Sequence, residues 1–368
     1  MEHISKPGTV EYLGVDPKPQ HFSMLDLFAG AGGLSLGLMW AGFRPKAAVE
    51  IDRAAAATYE ANLGKHILRD DQDVPLRIEN VDFTPYIGKI DLLAGGPPCQ
   101  GFSQLGARLK DDPRNRLWRE YMRAVETIRP RAFVMENVPP ILRSEEGRAT
   151  IMRAEALGYQ VAAGVLSAER FGVPQKRKRA FFIAILNGPA SLPSPPKDFP
   201  VRNVRWALAG LPLKPDGKNW HVGRKPTPTS LERYATVPEG GNRFDLMRAR
   251  PDITPACWLN KPTGSTDVFG RLSWAQPALT IRTEFYKPEK GRYLHPSEHR
   301  PITHREAARL QTFPDDFRFE GSKTEVAVQI GNAVPPLLAW WIGLHIAELL
   351  SGVGRELEVL QPALFTAV

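Results

Sequence analysis

DLFAGAGGLSLG, residues Asp26 to Gly37, joins the end of an apolar run to the start of a helical pattern through a glycine-rich turn. Glycines let a backbone pass close to a ligand, and a helix N-terminus offers unpaired N–H groups, so the stretch suits a nucleoside-bearing cofactor. About 20 residues further on, a second apolar run ends in Glu50 and Asp52, where an acid can accept hydrogen bonds from ribose hydroxyls. A dinucleotide fingerprint would continue G-x-G-x-x-G, but counting from Gly30 its last glycine position is Ser35.

Outward from that turn, short apolar runs alternate with helical patterns. Strands are expected at 23–28, 47–51, 91–94, 132–135, 160–167 and 180–186, with helices at 34–41, 53–62, 117–128 and 147–157. This alternation predicts βαβ units and a parallel α/β sheet. The last two strands are joined by a basic segment, Glu169 to Arg179, without a crossover helix. After Leu186 the composition changes to the Pro-rich GPASLPSPPKDFP, which reads as a boundary. Up to Glu320 Pro, Gly and Trp are frequent and helical periodicity is confined to 304–311, then an apolar helical pattern returns from Lys323, with a body at 337–350. The expected organisation is therefore 1–187, a smaller and mostly irregular or β domain at 188–322, and a segment 323–368 that returns to the first domain.

The longest apolar stretch, Ala333 to Ile346, contains two prolines and is shorter than a membrane span needs. The N-terminus lacks the apolar core of a secretory signal. Two cysteines, Cys99 and Cys257, rule out a disulfide framework and a four-cysteine zinc site. An intracellular, metal-free protein is expected. The formal charge is +8. Between Asn187 and Thr280 there are 13 Lys and Arg against 7 Asp and Glu, an excess that favours an anionic partner.

Three further motifs follow expected strands. GGPPCQGFS, Gly95 to Ser103, places Cys99 on a loop of restricted backbone, where a sulfur can be aimed at a substrate. ENV, Glu136 to Val138, puts an acid immediately after a strand. In open α/β sheets ligands bind outside the carboxyl ends of the strands, and the glycine turn, Glu50, Cys99 and Glu136 all fall at such ends. QKRKR, Gln175 to Arg179, enters the last strand, and alternation would send Arg177 and Arg179 to the same side.

Taken together, DLFAGAGG, EID, VDF, GGPPCQGFS, DPRNRLW, ENV, QKRKR, THREAARLQTFPDDF and QIGNAVPP make the chain resemble a bacterial DNA cytosine-C5 methyltransferase of the restriction-modification type. The motifs stand in that family's order over nearly the whole chain. The resemblance implies a Rossmann-like, S-adenosylmethionine-dependent α/β domain with a smaller target-recognition domain. It implies that Phe28, Ala29, Gly30, Gly32, Gly33, Glu50, Ile51, Asp82, Phe83, Pro98, Leu117, Asn332 and Val334 line the cofactor. The family usually has an aromatic residue where Ile51 stands.

It also implies that Cys99 is the nucleophile, that Glu136 meets the base's Watson–Crick edge, that Arg179 contacts the pyrimidine oxygen and that Arg177 supports it. Attack of a thiolate at C6 makes C5 enamine-like, and a proton or hydrogen bond from Glu136 at N3 absorbs the developing charge. Gln100, Ser103, Arg243, Arg248, Arg250, Lys261 and Arg271 are the candidate DNA contacts. Double-stranded DNA is the expected partner of a cytoplasmic, monomeric enzyme, beside a cognate restriction endonuclease acting separately. The same motifs leave open a tRNA cytosine methyltransferase and a nucleic-acid-binding protein without turnover. An NAD oxidoreductase leaves GGPPCQGFS and ENV without a role.

Overall fold

The computed structural model of the chain describes residues 6–98, 117–197, 200–260 and 263–360, with side chains up to residue 352. It divides into two compact units, one of Asp16–Ser167, Lys178–Pro196 and Pro336–Val368, the other of Met1–Val15, Ala168–Arg177 and Lys197–Pro335.

The first unit is built on a six-stranded sheet. Its elements are β1 (Phe22–Leu27), α1 (Gly33–Trp40), β2 (Phe43–Val49), α2 (Arg53–Leu63), β3 (Leu92–Gly95), α3 (Leu117–Ile128), β4 (Ala132–Asn137), α4 (Glu145–Ala156) and β5 (Tyr159–Ser167). The chain then leaves for the second unit, where it forms β6 (Gln175–Lys176), and returns as β7 (Lys178–Leu186). The strand order is β2-β1-β3-β4-β7-β5. The first four strands are parallel and β7 is antiparallel to both β4 and β5. That reversal is what a strand pair without a crossover helix must give.

The edge strand β2 begins earlier than its apolar run, at Phe43, because Arg44 and Lys46 face solvent while Phe43 and Pro45 face inward. An edge position tolerates Pro45, which lacks the N–H of a central strand. Both faces of the central strands are covered, and Leu25, Leu27, Leu93, Phe133, Met135, Phe182 and Ala184 share one core cluster.

Lys323–Gly352 is long and apolar enough to cross a membrane by length and composition, but 61% of its most apolar window is buried inside the protein. Its second part lies in α11 (Pro336–Leu360), which packs on α1 in the sheet unit. A Cβ at Gly37 would overlap the Pro336 carbonyl oxygen, and one at Gly343 would press on Ala41. The glycines set that close helix approach.

The second unit is mostly irregular. It contains short helices α5 (Val204–Leu208), α6 (Pro228–Thr236), α7 (Arg243–Ala249), α8 (Ala256–Leu259) and α9 (His304–Leu310). Two-stranded pairings join β6 to β9 (Ala278–Leu279) and β8 (Gly270–Arg271) to β10 (Arg292–Leu294), and α10 (Lys323–Asn332) follows.

Residues 6–15 belong here rather than with the sheet that follows them, since Tyr12 stacks on Trp206 at 4.7 Å and Arg202 donates to Leu13 O. Ala168–Arg177 and the stretch up to Pro335 belong here as well, a partition different from the one expected at 187/188 and 322/323. Arg177 shows why, by donating to the carbonyls of Ile281, Gly331 and Asn332.

Helix α9 is buried at every position, and its polar side chains organise this unit. Glu306 receives two hydrogen bonds from Arg300, at 2.7 and 2.8 Å, and one from Thr303 N–H. Arg309 pairs with Asp315. His295 lies 3.7 Å from Glu306, and its Nδ1 accepts from the N–H groups of Ser297 and Glu298. Burial pushes His295 down to about 4, against the partial support of Glu306.

In the other unit, burial raises Asp26 to about 7. The two shifts have opposite consequences for stability. His295 is depressed below its unfolded value, so its contribution is complete above about pH 6.5 and is lost as pH falls towards 4. Asp26 is raised, so its contribution is complete below about pH 4 and is lost as pH rises through 7. Relative to wild type, His295→Asn should therefore gain in thermal unfolding as pH falls from 6.5, by about 1.4 kcal/mol per pH unit at most. Asp26→Asn should show the opposite slope. Stability differences that stay flat with pH for both variants would refute both assignments.

Candidate active site

At the carboxyl end of β1, Phe28 takes φ 59° and Gly30 and Gly32 take φ 55° and 89°. A left-handed Phe28 costs ~1–2 kcal/mol and redirects the chain sharply out of the sheet. Gly32 caps α1 without any side-chain hydrogen bond, so the helix presents its first N–H groups unused by side chains. A Cβ at Gly32 would strike Leu63 and Tyr59, whereas one at Gly30 would meet open space. Gly32 is required by packing and Gly30 by the turn. Ser35, which breaks the dinucleotide fingerprint, donates its hydroxyl to buried Asp26 at 2.6 Å and lies 3.2 Å from Tyr59 Oη. The position is used to tie α1 to β1 and α2.

Glu50 follows β2 and receives Gly30 N–H at 2.7 Å and Asp52 N–H at 2.8 Å. Desolvation raises its carboxyl above the usual range, opposed by those two donors. Asp52 has the simpler role of capping α2 through Ala55 N–H. Ile51, beside them, is 51% exposed. An exposed apolar side chain thus stands next to a carboxylate and an open glycine turn.

Asp82 is exposed and holds the next turn through Thr84 N–H and Oγ1, which lower its carboxyl. Phe83 is 1% exposed and lies under Arg123, 4.8 Å from the ring centroid. Arg123, absent from the sequence candidates, also donates to Ile78 O and Val81 O and so fixes this turn. Phe83 is thus a buried support in this structure. Leu117 opens α3 against the core, partly buried. Asn332 and Val334, at and just beyond the end of α10, lie in the second unit, Asn332 exposed and Val334 buried.

The carboxyl ends of β3 and β4 lie side by side, Gly95 opposite Met135. Glu136 therefore projects next to the segment leading to Cys99. Cys99, Gln100 and Ser103 lie outside the described residues, but the approach to them is described. Asn137 donates to Pro97 O at 3.0 Å and accepts Val138 N–H, clamping Gly96–Pro98 to the end of β4. A Cβ at Gly96 would come within 3.1 Å of Glu136 Oε2. On its other side Glu136 Oε1 is 3.0 Å from Arg179 Nε, both side chains largely buried, and that oxygen has no hydrogen bond among the described residues. An acid held by an arginine, with one oxygen still able to bond, can meet a planar polar ligand. Asn137 was not among the sequence candidates, although its place directly after the acid of ENV was the available signal.

Arg177 and Arg179 fall in different units. Arg177 is 1% exposed and committed to three backbone carbonyls. Through those carbonyls it braces the second unit. The chain breaks its strand geometry at 177, between β6 and β7, so the period of two does not carry through.

The expected DNA contacts divide similarly. Arg271 is buried and donates to the carbonyls of Val237, Tyr234, His295 and Glu298. Arg243 is buried, donates to Thr263 O and lies over Phe244. Neither guanidinium is presented to a partner. Arg248 is exposed beside Asp245, and Arg250 is paired with Asp252 and Glu232. Lys261 lies outside the described residues. Among the described residues no group of three His, Cys, Asp or Glu is placed to hold a metal.

Residues 22–348 match the model of the family described as C-5 cytosine-specific DNA methylase. The chain is 38% identical over 357 residues to the Type II methyltransferase M.PspPI of Psychrobacter sp. (strain TA137), covering 94% of this chain and 83% of that one. It is 36% identical over 335 residues to the Type II methyltransferase M1.HphI of Haemophilus parahaemolyticus, covering 88% and 86%. Among solved structures it superposes on a prophage-encoded Escherichia coli protein described as a DNA modification methyltransferase, with TM-score 0.69, 30% identity and coverage of 90% and 100%. The S. pombe Dnmt2 methyltransferase shares the fold at TM-score 0.62 and 18% identity, over 90% and 99% of the two chains.

Proposed function

Because the chain belongs to the C-5 cytosine-specific DNA methylase family, we propose that Cys99, Glu136 and Arg179 are the residues through which it acts on its base. The reaction is transfer of a methyl group from S-adenosylmethionine to C5 of cytosine in duplex DNA, the activity of a DNA (cytosine-5-)-methyltransferase. S-adenosylmethionine, when bound, supplies the methyl group. Glu50 and the Phe28–Gly33 turn would hold its ribose, Ile51 would pack on its adenine, and Asp82, Pro98, Leu117, Asn332 and Val334 would complete its surroundings.

The observation that carries the assignment is the Glu136–Arg179 pair at 3.0 Å beside a cysteine approach that Asn137 clamps in place. Cys99 adds as thiolate to C6 of the ring, and the electron pair displaced from the C5–C6 bond is delocalised to N3 and to C5. Glu136 supplies a proton or hydrogen bond to N3, and Arg179 holds Glu136 and faces the pyrimidine oxygen. After C5 is methylated, its proton leaves to a base such as water, the C6–S bond breaks as the C5–C6 double bond re-forms, the thiolate returns, and N3 gives back to Glu136 any proton it took. Stacked in a duplex, C6 is out of reach, so the cytosine must be flipped out at a cost of a few kcal/mol. The second unit, with its basic excess, would offset that through DNA contacts.

The likeness to Type II methyltransferases supports a modification enzyme that acts on one specific sequence in the bacterial cytoplasm, paired with a cognate endonuclease. With labelled S-adenosylmethionine, transfer to duplex DNA is expected, and bisulfite sequencing of the product should show methylation confined to one sequence context. Label in tRNA with none in DNA would overturn the choice of polymer. Methylation without regard to context would overturn the modification role.

A further inference from the structure

We infer that the loop at 213–226 is a phosphate-gripping element for duplex DNA, an assignment that rests on the DNA methyltransferase reading above. Lys214, Lys218, Arg224 and Lys225 lie in this short stretch against a single acid, Asp216. All four are exposed, and among the described residues none of their charged groups has an ion pair or a hydrogen bond. Asp216 directs Oδ1 to the backbone N–H of Lys218 instead. This contrasts with Arg243 and Arg271, which are buried, and with Arg248 and Arg250, which already face acids.

The loop is also a built feature. Gly217 N–H donates to His221 O and His221 N–H to Lys218 O, closing a turn in which Asn219 and Trp220 adopt φ 44° and 63°. Across the loop Pro215 lies so near Gly223 that a Cβ there would sit 3.0 Å from its ring. The loop therefore closes on itself at Pro215 and Gly223, the residues adjoining Lys214 and Arg224 in sequence.

The base of the loop is anchored to α9 and its surroundings. His221 is 2% exposed, with its ring nitrogens 2.9 Å from Thr303 Oγ1 and 2.8 Å from Pro212 O. Trp220 Nε1 donates to Phe319 O, Arg305 Nε donates to Asn219 O, and Arg300 donates to Leu213 O.

A rigid backbone that carries four long, uncompensated cations suits a row of phosphates better than base edges. Point charges on flexible stems carry little sequence information, and a fixed backbone limits the ordering needed on binding. The buried anchors explain how strained positions at Asn219 and Trp220 are maintained.

The test uses the full chain with K214Q/K218Q, R224Q/K225Q and all four changes together. K46Q/K65Q, on exposed sites of the sheet unit, controls for a general loss of charge. DNA binding is measured over a range of salt concentrations. The slope of log affinity against log salt should become shallower by about 0.9 for each phosphate that the variant no longer neutralises, and KM for DNA should rise about tenfold or more in the fourfold variant. S-adenosylmethionine binding and the sequence context of methylation should match wild type.

Slopes and KM values equal to those of K46Q/K65Q would overturn the assignment, as would an altered methylation context, which would make the loop a base reader. Loss of S-adenosylmethionine binding in both double variants would also overturn it, by showing that the loop is structural. Wild-type protein that binds no duplex DNA would instead overturn the enzymatic reading, and the loop assignment with it.

Discussion

Replacing Cys99 with alanine is expected to lower kcat by ~10⁴-fold or more while S-adenosylmethionine still binds. C5 of cytosine is too weak a nucleophile to accept a methyl group unaided. Adding a thiolate to C6 is what activates it, and alanine offers no substitute. The proposed cofactor contacts are independent of the sulfur, because the turn at Phe28–Gly33 and the Glu50 carboxylate are held by Gly30 N–H, Asp52 N–H and the packing of Gly32. Cys257, the other cysteine, is exposed in α8, so Cys257→Ala should change stability by no more than about 0.5 kcal/mol and leave turnover intact. DNA containing 5-fluorocytosine sharpens the test. Fluorine at C5 cannot leave as a proton does, so the C6–S bond persists and wild type should run as a covalent complex on a denaturing gel. Cys99→Ala should form none. Wild-type turnover by Cys99→Ala, or an adduct that depends on Cys257, would end the assignment.

The sheet was legible because its signals are local. Each parallel strand is an apolar run that stops at a turn residue, and α1 and α2 open just past the ends of β1 and β2. The placement of the rim residues was legible for the same reason, since Glu50 and Glu136 stand at the ends of β2 and β4, as their motifs predicted. What failed depended on long-range partners. Sequence gives an arginine its charge but not its surroundings, and a five-donor guanidinium serves buried carbonyls as readily as phosphates. Arg177 and Arg271 fill that structural role, while Lys214 and Arg224, part of the basic excess at 187–280, stand exposed. The attachment of residues 6–15 to the second unit rests on Tyr12 meeting Trp206, 194 positions away. No periodicity could report that pairing. Ser35 is an intermediate case. Its departure from the dinucleotide pattern was visible, but its reason, the hydrogen bond to Asp26, needed the fold.

Glu136→Gln is expected to reduce kcat by ~10²–10³-fold, the range found when one group that stabilises developing charge is removed. Glutamine keeps the size of the side chain and can donate a hydrogen bond to N3, but it cannot deliver a proton there as the ring becomes electron-rich. KM for DNA should change far less than kcat, because the loss is confined to the step in which charge develops. Arg179 makes the prediction more specific. Its Nε is 3.0 Å from Glu136 Oε1, and the pair lies largely out of solvent, so each side chain fixes the other. Arg179→Ala should therefore also lower kcat, and the double variant should lose less than the two separate losses combined. Lysine at 179 should rescue little, since a single ammonium cannot reproduce the planar set of donors that, on the proposed reading, would serve both Glu136 and the base oxygen. Gly96→Ala offers an independent check, because its Cβ would press within 3.1 Å of Glu136 Oε2 and move the carboxylate without altering its chemistry. A fall in kcat there, with S-adenosylmethionine binding intact, would show that the position of the carboxylate matters as well as its proton. Simple additivity of Glu136→Gln and Arg179→Ala, or a Glu136→Gln enzyme at wild-type rate, would break the proposed link between the ion pair and N3.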